Sequence, residues 1–401
     1  MGLNKGQTEC RVKFNDWWKK RRKQTFEYGG PAGSGKSFIA NILLADTGLD
    51  MERIAIITYT GRAAYNLIKK GLNACTAHRL LYKPVIKLKP EYAQDGITQR
   101  VNAKNDPIFH KVLEWIKNDP SDIIKQYDLI YIDEGYMVDE EVADDIVKLG
   151  LPILVSGDIN QLGPVNGRPY FLSNPDYLLN EVTRQALGDP IVVMALDILK
   201  YGYPTKKIYG PKAKVFEFNG EVEYSPVFEK VATKADIILT CTNKLRQQVN
   251  DVYRTNFLGF GEEPCINDKI VCRQNNWNES VDGIPLINGL VGYIRNEIVE
   301  LDRNTFRIDF EEEDFPNSLF SELMIDKKYL SALSSVKQSR KINGKKVNLF
   351  QYAYALTTHL VQGSEYDKAI FLDDAYGDAQ NQKRLRYTAV TRAKKNLLYF
   401  T

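Results

Sequence analysis

The stretch G-P-A-G-S-G-K-S, which begins at Gly30, has residue types and a spacing that suit phosphate binding. Gly30, Gly33 and Gly35 allow backbone angles that side chains oppose, so successive N–H groups can converge on one anion. Lys36 can then reach the β- and γ-phosphates of a nucleotide, and the Ser37 hydroxyl can ligate Mg²⁺. The stretch therefore predicts a loop that binds a nucleoside triphosphate.

The segments on either side of this loop suit the same chemistry. Residues 24–28 alternate like a β-strand, and residues 38–44 are apolar at helical spacing. Such a helix presents the positive end of its dipole to the phosphates. A glycine-rich turn that matches by chance is the alternative, and the strand before the loop and the helix after it argue against that alternative.

Two carboxylates follow the apolar residues 129–132 directly, at Asp133 and Glu134. The carboxyl ends of parallel strands meet at one sheet edge, so these acids are expected beside the phosphate loop. Asp133 would hold Mg²⁺ through a water molecule, and Glu134 would accept a proton from the attacking water. For an isolated Asp-Glu pair, solvated acids at a strand end are the alternative.

Three further polar residues follow a predicted strand over residues 151–157. Asp158 and Gln161 come where the end of that strand would face the γ-phosphate. Arg184 lies further along the chain, and a lone arginine of this kind is most simply a member of a surface ion pair.

Composition sets the class of protein. A chain of 401 residues predicts about two to three domains, and 43% hydrophobic with 26% charged residues is typical of a soluble globular protein. A net charge of +3 means that any affinity for nucleic acid must come from a local groove. Scattered cysteines without a C-x-x-C pair argue against zinc and disulfides and favour a reducing, cytoplasmic location. No apolar run approaches the ~20 residues that span a membrane.

Five motifs occur in an order and spacing that is highly specific. They are Gly30–Ser37, Asp133–Glu134, Gly157–Gln161, Thr357–Glu365 and Tyr387–Lys394. With these motifs the chain resembles superfamily 1 helicases of the RecD/Dda-like group, which includes small phage helicases. The resemblance covers nearly the whole chain, weakly over residues 82–120 and 291–347.

The resemblance implies an α/β fold with two RecA-like P-loop domains whose sheets are parallel, each carrying a small β-rich insertion. Residues 1–81 and 121–200 would form domain 1A, and residues 82–120 its insertion 1B. Residues 201–290 and 348–401 would form domain 2A, and residues 291–347 an SH3-like insertion 2B. Insertion 1B would hold the wedge that splits a duplex, with Tyr92 as a possible tip and a plain surface tyrosine as the alternative.

The resemblance also implies an ATP–Mg²⁺ site between the two domains. Its catalytic residues would be Lys36, Asp133, Glu134, Gln161, Arg184 and Arg392, with Ser37 and Asp133 at the metal. Nucleotide contacts would come from Gln7, Gly30, Gly33, Ser34, Gly35, Lys36, Ser37, Gly363 and Glu365. In this scheme Gln7 reads adenine and Glu365 lies near the ribose. Gln161 links the γ-phosphate to the DNA-binding face, and the two arginines stabilise charge on the transferred phosphoryl group.

A groove for single-stranded nucleic acid is predicted at ten positions, of which all but Tyr59 match the family pattern. They are Tyr59, Thr60, Arg62, Thr76, His78, Thr242, Asn243, Thr358, His359 and Gln362. Such side chains grip the backbone without reading sequence. The family pattern has a proline where Tyr59 stands, and this ring is available to stack on a base. The chain also has Gly135-Tyr136 and Leu360-Val361 where the family has other residues.

These matches predict an ATP-dependent helicase or translocase on single-stranded DNA. Family membership implies 5′→3′ movement. The predicted partners are tailed or forked duplexes and replication, recombination or repair proteins, and the small size and full motif set favour a monomer. The predicted location is the cytoplasm, that of the host if a phage encodes the protein. Two alternatives stay open. One is a superfamily 1 RNA helicase, because groove hydroxyls do not separate DNA from RNA. The other is an ATP-dependent clamp or remodelling subunit that does not unwind.

Overall fold

The computed structural model describes residues 2–90, 99, 101, 106–164, 167–217, 226–281, 284–313, 318–331, 340–342 and 345–401. Tyr92 lies outside these residues, and so does the side chain of Arg184. Among the helices in the described ranges, none combines the length and the apolar character needed to cross a membrane.

The first half of the chain contains strands β1–β8 and helices α1–α8. The strands are β1 Thr25–Gly29, β2 Ile54–Thr58, β3 Ala74–Thr76, β4 Tyr82–Pro90, β5 Phe109–Lys117, β6 Leu129–Asp133, β7 Ile153–Gly157 and β8 Tyr177–Leu178. The helices are α1 Lys5–Lys20, α2 Lys36–Asp46, α3 Gly61–Lys69, α4 Ala77–Leu81, α5 Pro120–Gln126, α6 Glu140–Val147, α7 Arg184–Leu187 and α8 Pro190–Tyr201.

The second half contains strands β9–β23 and helices α9–α12. The strands are β9 Ile208–Gly210, β10 Ala213–Phe216, β11 Ile237–Thr240, β12 Lys269–Cys272, β13 Asn276–Val281, β14 Ile284–Leu286, β15 Val291–Asp302, β16 Thr305–Glu312, β17 Leu319–Asp326, β18 Lys341–Ile342, β19 Lys345–Lys346, β20 Phe350–Tyr352, β21 Ala355–Thr357, β22 Tyr366–Leu372 and β23 Ala393–Phe400. The helices are α9 Pro226–Ala232, α10 Asn243–Val252, α11 Lys327–Leu330 and α12 Ala379–Val390.

In the described part of the first half, six strands form one parallel sheet in the order β3-β2-β6-β7-β1-β8. Alternation along β2 shows how the sheet is covered on both faces. Ile54 and Ile56 pack with α1 and α2, whereas Ala55 and Ile57 pack with α4 and α6. A parallel sheet buried on both faces explains why its strands are apolar runs. The predicted α/β class is confirmed.

A second sheet has the order β21-β11-β22-β23-β10-β9 across the described residues, and it is parallel except for the edge strand β9. Helix α8 packs on this sheet, since Met194 and Ile198 are buried in one core with Leu239 and Phe371. The predicted boundary at residue 200 assigned α8 to the first domain. The structure instead places it in the core of the second, because its apolar residues need the cover that this sheet provides.

A third sheet is antiparallel, and its described strands have the order β17-β16-β15-β12-β20. It reaches beyond the predicted bounds of 291–347, because β12 and β20 lie outside them. Val271 pairs with Val291 on one side and with Gln351 on the other, so β12 completes the sheet. In the first half, β4 pairs along its length with β5, a segment whose sequence gave no strand prediction.

Candidate ATP site and nucleic-acid groove

The phosphate loop joins the end of β1 to the start of α2, as its sequence predicts. Gly33 and Gly35 have φ values of 78° and 80°, which favour glycine. A Cβ atom on Gly30 would lie 2.6 Å from Ser34 Oγ, and one on Gly33 would lie 2.7 Å from the Ala186 side chain. Ser34 Oγ is buried and has no hydrogen-bond partner in the described structure. An open cradle with an unused buried hydroxyl fits a phosphate group.

Lys36 closes over this cradle. Its Nζ donates to the carbonyls of Gly30, at 2.8 Å, and Pro31, at 3.1 Å, and lies 3.7 Å from Asp158 Oδ2. Ser37 follows it as an exposed residue in the first turn of α2. A hydroxyl and a carboxylate are oxygen donors of the kind that Mg²⁺ takes beside nucleotide phosphates, so Ser37 and Asp133 fit the predicted metal.

Gln7 lies against the same loop and is 3% exposed. Its Nε2 donates to the Ser34 carbonyl at 3.2 Å, and its Oε1 accepts from the Asn4 N–H at 3.1 Å in the capping box of α1. The structure thus shows Gln7 bracing the loop from α1. Its role in reading adenine remains a prediction.

The two acids lie at the carboxyl edge of the first sheet. Ser156 Oγ donates to Asp133 Oδ1 at 2.7 Å and fixes that carboxylate. Glu134 has a left-handed φ of 54°, which turns its side chain out of the strand direction. Burial, helped by the charge of Asp133, raises the pKa of Glu134 to about 7 against the opposing charges of Arg392 and Lys36. The charges of Lys36 and Arg392, which lie on other elements of the chain, therefore act on Glu134.

A short segment after β7 contacts three residues of the second half. Arg392 Nη2 donates to Gln161 Oε1 at 3.1 Å. The N–H of Leu162 donates to Thr388 Oγ1 at 3.0 Å, and its carbonyl accepts from Gln362 Nε2 at 2.9 Å. The predicted residues Gln161, Gln362 and Arg392 therefore meet at one point between the two parallel sheets.

Tyr387 is a site residue whose contribution the sequence did not predict. It is fully buried on α12, and its hydroxyl donates to Asp158 Oδ2 at 2.7 Å while accepting from the Ala32 N–H at 2.6 Å. Ala32 belongs to the phosphate loop. The motif Tyr387–Lys394 flagged this tyrosine, but no local pattern shows that its hydroxyl reaches the other sheet.

The structure explains two residues at which the chain departs from the family pattern, Gly135 and Tyr136. A Cβ on Gly135 would overlap the side chain of Val155. The Tyr136 hydroxyl accepts from Arg384 Nη2 at 2.7 Å. This bond adds another contact between α12 and the acid loop, the segment 133–137 that carries the two acids.

For three predicted residues of the nucleotide site, the backbone gives the position. Arg184 begins the short helix α7, behind its N-cap Thr183. Gly363 has a φ of 77° and packs on Ala63 of α3, where a Cβ would lie 2.7 Å from the alanine side chain. Glu365 is exposed on the loop before β22. Their roles toward a nucleotide remain predictions.

A groove of about 1300 Å³ runs between the two sheets and gathers nine of the ten predicted nucleic-acid residues. They are Tyr59, Thr60, Arg62, Thr76, His78, Thr242, Asn243, His359 and Gln362. Thr358 is the exception and needs correction. Its side chain is fully buried, and its hydroxyl donates to the Thr240 carbonyl at 3.0 Å, so it points into the second sheet.

The two sheets present the same local structure to this groove. Thr60 and Thr242 cap α3 and α10, each accepting a backbone N–H three residues on. A buried threonine lies two residues before each capping threonine. The Thr58 hydroxyl donates to the Thr60 carbonyl at 2.9 Å, and the Thr240 hydroxyl donates to the Thr242 carbonyl at 3.2 Å. The positive ends of two helices therefore point to the groove from opposite sides.

Other groove residues were missed from the sequence. Tyr82 and Tyr376 add aromatic surface, and Arg273 and Lys346 add cations. Tyr82 begins β4, and Tyr376 lies in the loop after β22. Arg273 directly follows β12, and Lys346 ends β19. None of these segments carries a motif. Only their positions in the fold bring them together.

Two families match parts of the chain. The AAA domain family matches residues 20–167, and the UvrD-like helicase C-terminal domain family matches residues 352–398. These regions contain the phosphate loop with the acids and the α12 motif, respectively.

Two curated relatives align over most of the chain. RecBCD enzyme subunit RecD of Buchnera aphidicola is 22% identical, with 94% of this chain and 70% of the relative covered. An uncharacterized protein of Methanocaldococcus jannaschii is 23% identical over 92% of this chain. The chain spans only 36% of the length of that archaeal relative.

Solved structures of Pif1 helicases have the same fold. A structure of two coordinating Pif1 helicases unwinding forked double-stranded DNA superimposes with a TM-score of 0.54 at 16% identity, covering 100% of this chain and 92% of that one. A Bacteroides Pif1 bound to single-stranded DNA gives 0.52 at 15% identity, with the same coverage. At these identities the likeness concerns the fold alone.

Proposed function

We propose that this chain, which belongs to the RecD/Pif1-like group of superfamily 1 helicases, is an ATP-driven motor on single-stranded DNA. Movement in the 5′→3′ direction and separation of a tailed or forked duplex are part of the proposal. Pif1 structures bound to single-stranded and forked DNA support DNA as the polymer.

One observation carries the proposal. The segment Gln161–Leu162 contacts Arg392, which the proposal assigns to the ATP site, and Gln362, which lines the groove. A change at the nucleotide can therefore reach the polymer through these two adjacent residues. Coupling of this kind separates a motor from a simple ATPase or a simple binding protein.

Side chains of both sheets would share the work of hydrolysis. Lys36 would exchange its two carbonyl partners for phosphate oxygens, while the N–H groups of the loop bind the same anion. Glu134 would accept a proton from the attacking water at its carboxylate. Arg392 would offset charge on the phosphoryl group from across the cleft. Mg²⁺, held by Ser37 and Asp133, would supply additional positive charge at the phosphates.

Docking of the sheets is the step that links hydrolysis to movement. Arg392, Thr388 and Tyr387 contact residues of the first half, and these contacts would be lost if the cleft opened. A nucleotide shifts this balance through contacts that differ between the open and closed states. The threonine-capped helices on the two sides of the groove would then move relative to one another along the strand.

Steady-state ATP hydrolysis tests the proposal, measured without polymer, with single-stranded DNA and with single-stranded RNA. We expect stimulation by DNA and a loss of about 10²–10⁴-fold in turnover for Glu134→Gln, because a general base contributes about that much. Glu140→Gln, an exposed acid in the first turn of α6, is the matched control. Duplexes with a 5′ or a 3′ tail then test unwinding and direction.

Stimulation by RNA alone would replace DNA with RNA as the polymer. Hydrolysis that depends on DNA without unwinding of either tailed duplex would favour the remodelling subunit. A Glu134→Gln variant that hydrolyses ATP at the wild-type rate would contradict the assigned mechanism.

A further inference from the structure

Arg273 is a half-buried cation that lines the groove, and no acid among the described residues forms an ion pair with it. Its Nε and Nη1 atoms are buried and have no hydrogen-bond partner among the residues that the structure describes. Its backbone is fixed, because its N–H donates to the Leu349 carbonyl at 2.8 Å just beyond β12. Buried N–H groups of a guanidinium that lack acceptors are costly, so these two atoms call for an anion that binds there.

The surroundings of Arg273 reinforce that need. The pKa of Arg246 is lowered to about 10, mainly by burial and in addition by the nearby charge of Arg273. Arg246 itself donates to the neutral Gln351 at 2.6 Å. Burial lowers the pKa of Arg273 as well. Positive charge is thus concentrated at the junction of the second and third sheets.

Lys346 contributes a second cation to the same wall of the groove. Its Nζ donates to the carbonyl of Asn275, two residues after Arg273, at 2.7 Å. A carbonyl leaves the ammonium charge uncompensated. Lys346 and Arg273 are therefore held beside one loop, and each retains a net charge for a ligand.

Other charges of the groove are balanced or lie on the first-sheet side. Arg62 lies 3.7 Å from Glu312 and donates to Ser364. Burial lowers the pKa of His359, which favours its uncharged ring. Among the described residues that line the groove, Glu141 of α6 is the one acid. The unbalanced positive charge therefore lies at Arg273 and Lys346.

We propose that Arg273, with Lys346 beside it, binds a backbone phosphate of the single strand where the groove meets the third sheet. The planar guanidinium suits two parallel hydrogen bonds to phosphate oxygens. The inference rests on the proposed function, because that function supplies a polyanion in the groove. It assigns to the third sheet a direct part in holding the strand.

Binding of a fluorescein-labelled oligo(dT) over a series of salt concentrations tests this assignment. For Arg273→Met we expect affinity about tenfold weaker or more, because hydrogen bonds to charged groups are worth about 1.5–3 kcal/mol. The slope of log affinity against log salt should flatten by about 0.7, the value for one lost phosphate contact on a single strand. Arg273→Lys should keep the wild-type slope and lose part of the affinity.

The control is Arg303→Ala, which removes the same charge from an exposed turn at the far end of β15. It should leave the affinity and the slope unchanged. Thermal unfolding supplies a readout that a structural arginine would move differently. Because Arg273 is unpaired in the free protein, Arg273→Met should be at least as stable as the wild type.

The outcomes separate this inference from the proposed function. Wild-type protein that fails to bind oligo(dT) would overturn both. If the wild type binds and Arg273→Met keeps the same affinity and slope, the inference falls and the motor proposal stands. A marked loss of stability in Arg273→Met would also overturn the inference, since it would show that Arg273 has a structural partner.

Discussion

Replacing Tyr387 by phenylalanine should separate docking of the sheets from binding of the nucleotide. The lost hydroxyl makes two hydrogen bonds, to the Ala32 N–H and to the Asp158 carboxylate. Because both partners belong to the first sheet and Tyr387 to α12 of the second, these bonds exist only in the docked state. In an open cleft, water would satisfy Ala32 and Asp158.

The size of the effect follows from the chemistry of the two bonds. A neutral hydrogen bond contributes about 1 kcal/mol and one to a charged group about 2 kcal/mol, so the docked state loses about 3 kcal/mol. At 1.4 kcal/mol per factor of ten, the docked population should fall by about 100-fold relative to the open one. We expect turnover with saturating single-stranded DNA to fall by a similar factor.

Steady-state hydrolysis beside equilibrium binding of a fluorescent ADP would measure this effect. Affinity for ADP should change little, since Lys36 and the loop glycines are intact. Tyr399→Phe is a matched control, because Tyr399 is also fully buried and its hydroxyl donates to Asp373 at 2.6 Å within the second sheet. Both variants should lose unfolding stability, and only Tyr387→Phe should lose turnover. Wild-type turnover in Tyr387→Phe would refute the reasoning.

Two further substitutions probe coupling and packing. Gln362→Leu removes the hydrogen bond to the Leu162 carbonyl, so stimulation of hydrolysis by single-stranded DNA should fall about fivefold while hydrolysis without polymer is unchanged; an equal fall in both rates would contradict this route of coupling. Gly135→Ala places a methyl group against Val155 and should lower the free energy of unfolding by about 2 kcal/mol in urea. The double variant with Val155→Ala should recover most of that loss, and an undiminished stability of Gly135→Ala alone would show that the acid loop relaxes freely.

Positions that depend on local chemistry could be predicted from the sequence. The phosphate loop needs glycines at fixed offsets, and Asp133 and Glu134 must reach the same sheet edge because parallel strands end there. The strands β6 and β7 were evident from their apolar runs, and β1 from its alternation. In these places one physical requirement acts on consecutive residues, so the pattern is visible in the chain.

Positions that depend on tertiary contacts could not be predicted in this way. Thr358 shares a motif with His359 and Gln362, yet its side chain turns inward to the Thr240 carbonyl, and no spacing distinguishes the three. Helix α8 is apolar enough for either sheet, and only packing assigns it to the second. Arg273 carries no motif, and it stands out only because two of its buried nitrogen atoms have no hydrogen-bond partner among the described residues.

The paired threonine caps of the groove differ in one respect. At the second sheet, the carboxylate of Asp374 accepts hydrogen bonds from the N–H groups of Cys241 and Thr242 and from the Thr242 hydroxyl. No described carboxylate accepts a hydrogen bond from Thr60. The N–H groups at the second cap are therefore already bound by an acid of the protein, whereas Thr60 has no such partner among the described residues. Under the proposed function, a strand phosphate at the second cap would compete with Asp374, so the two sides of the groove would hold the strand with unequal strength.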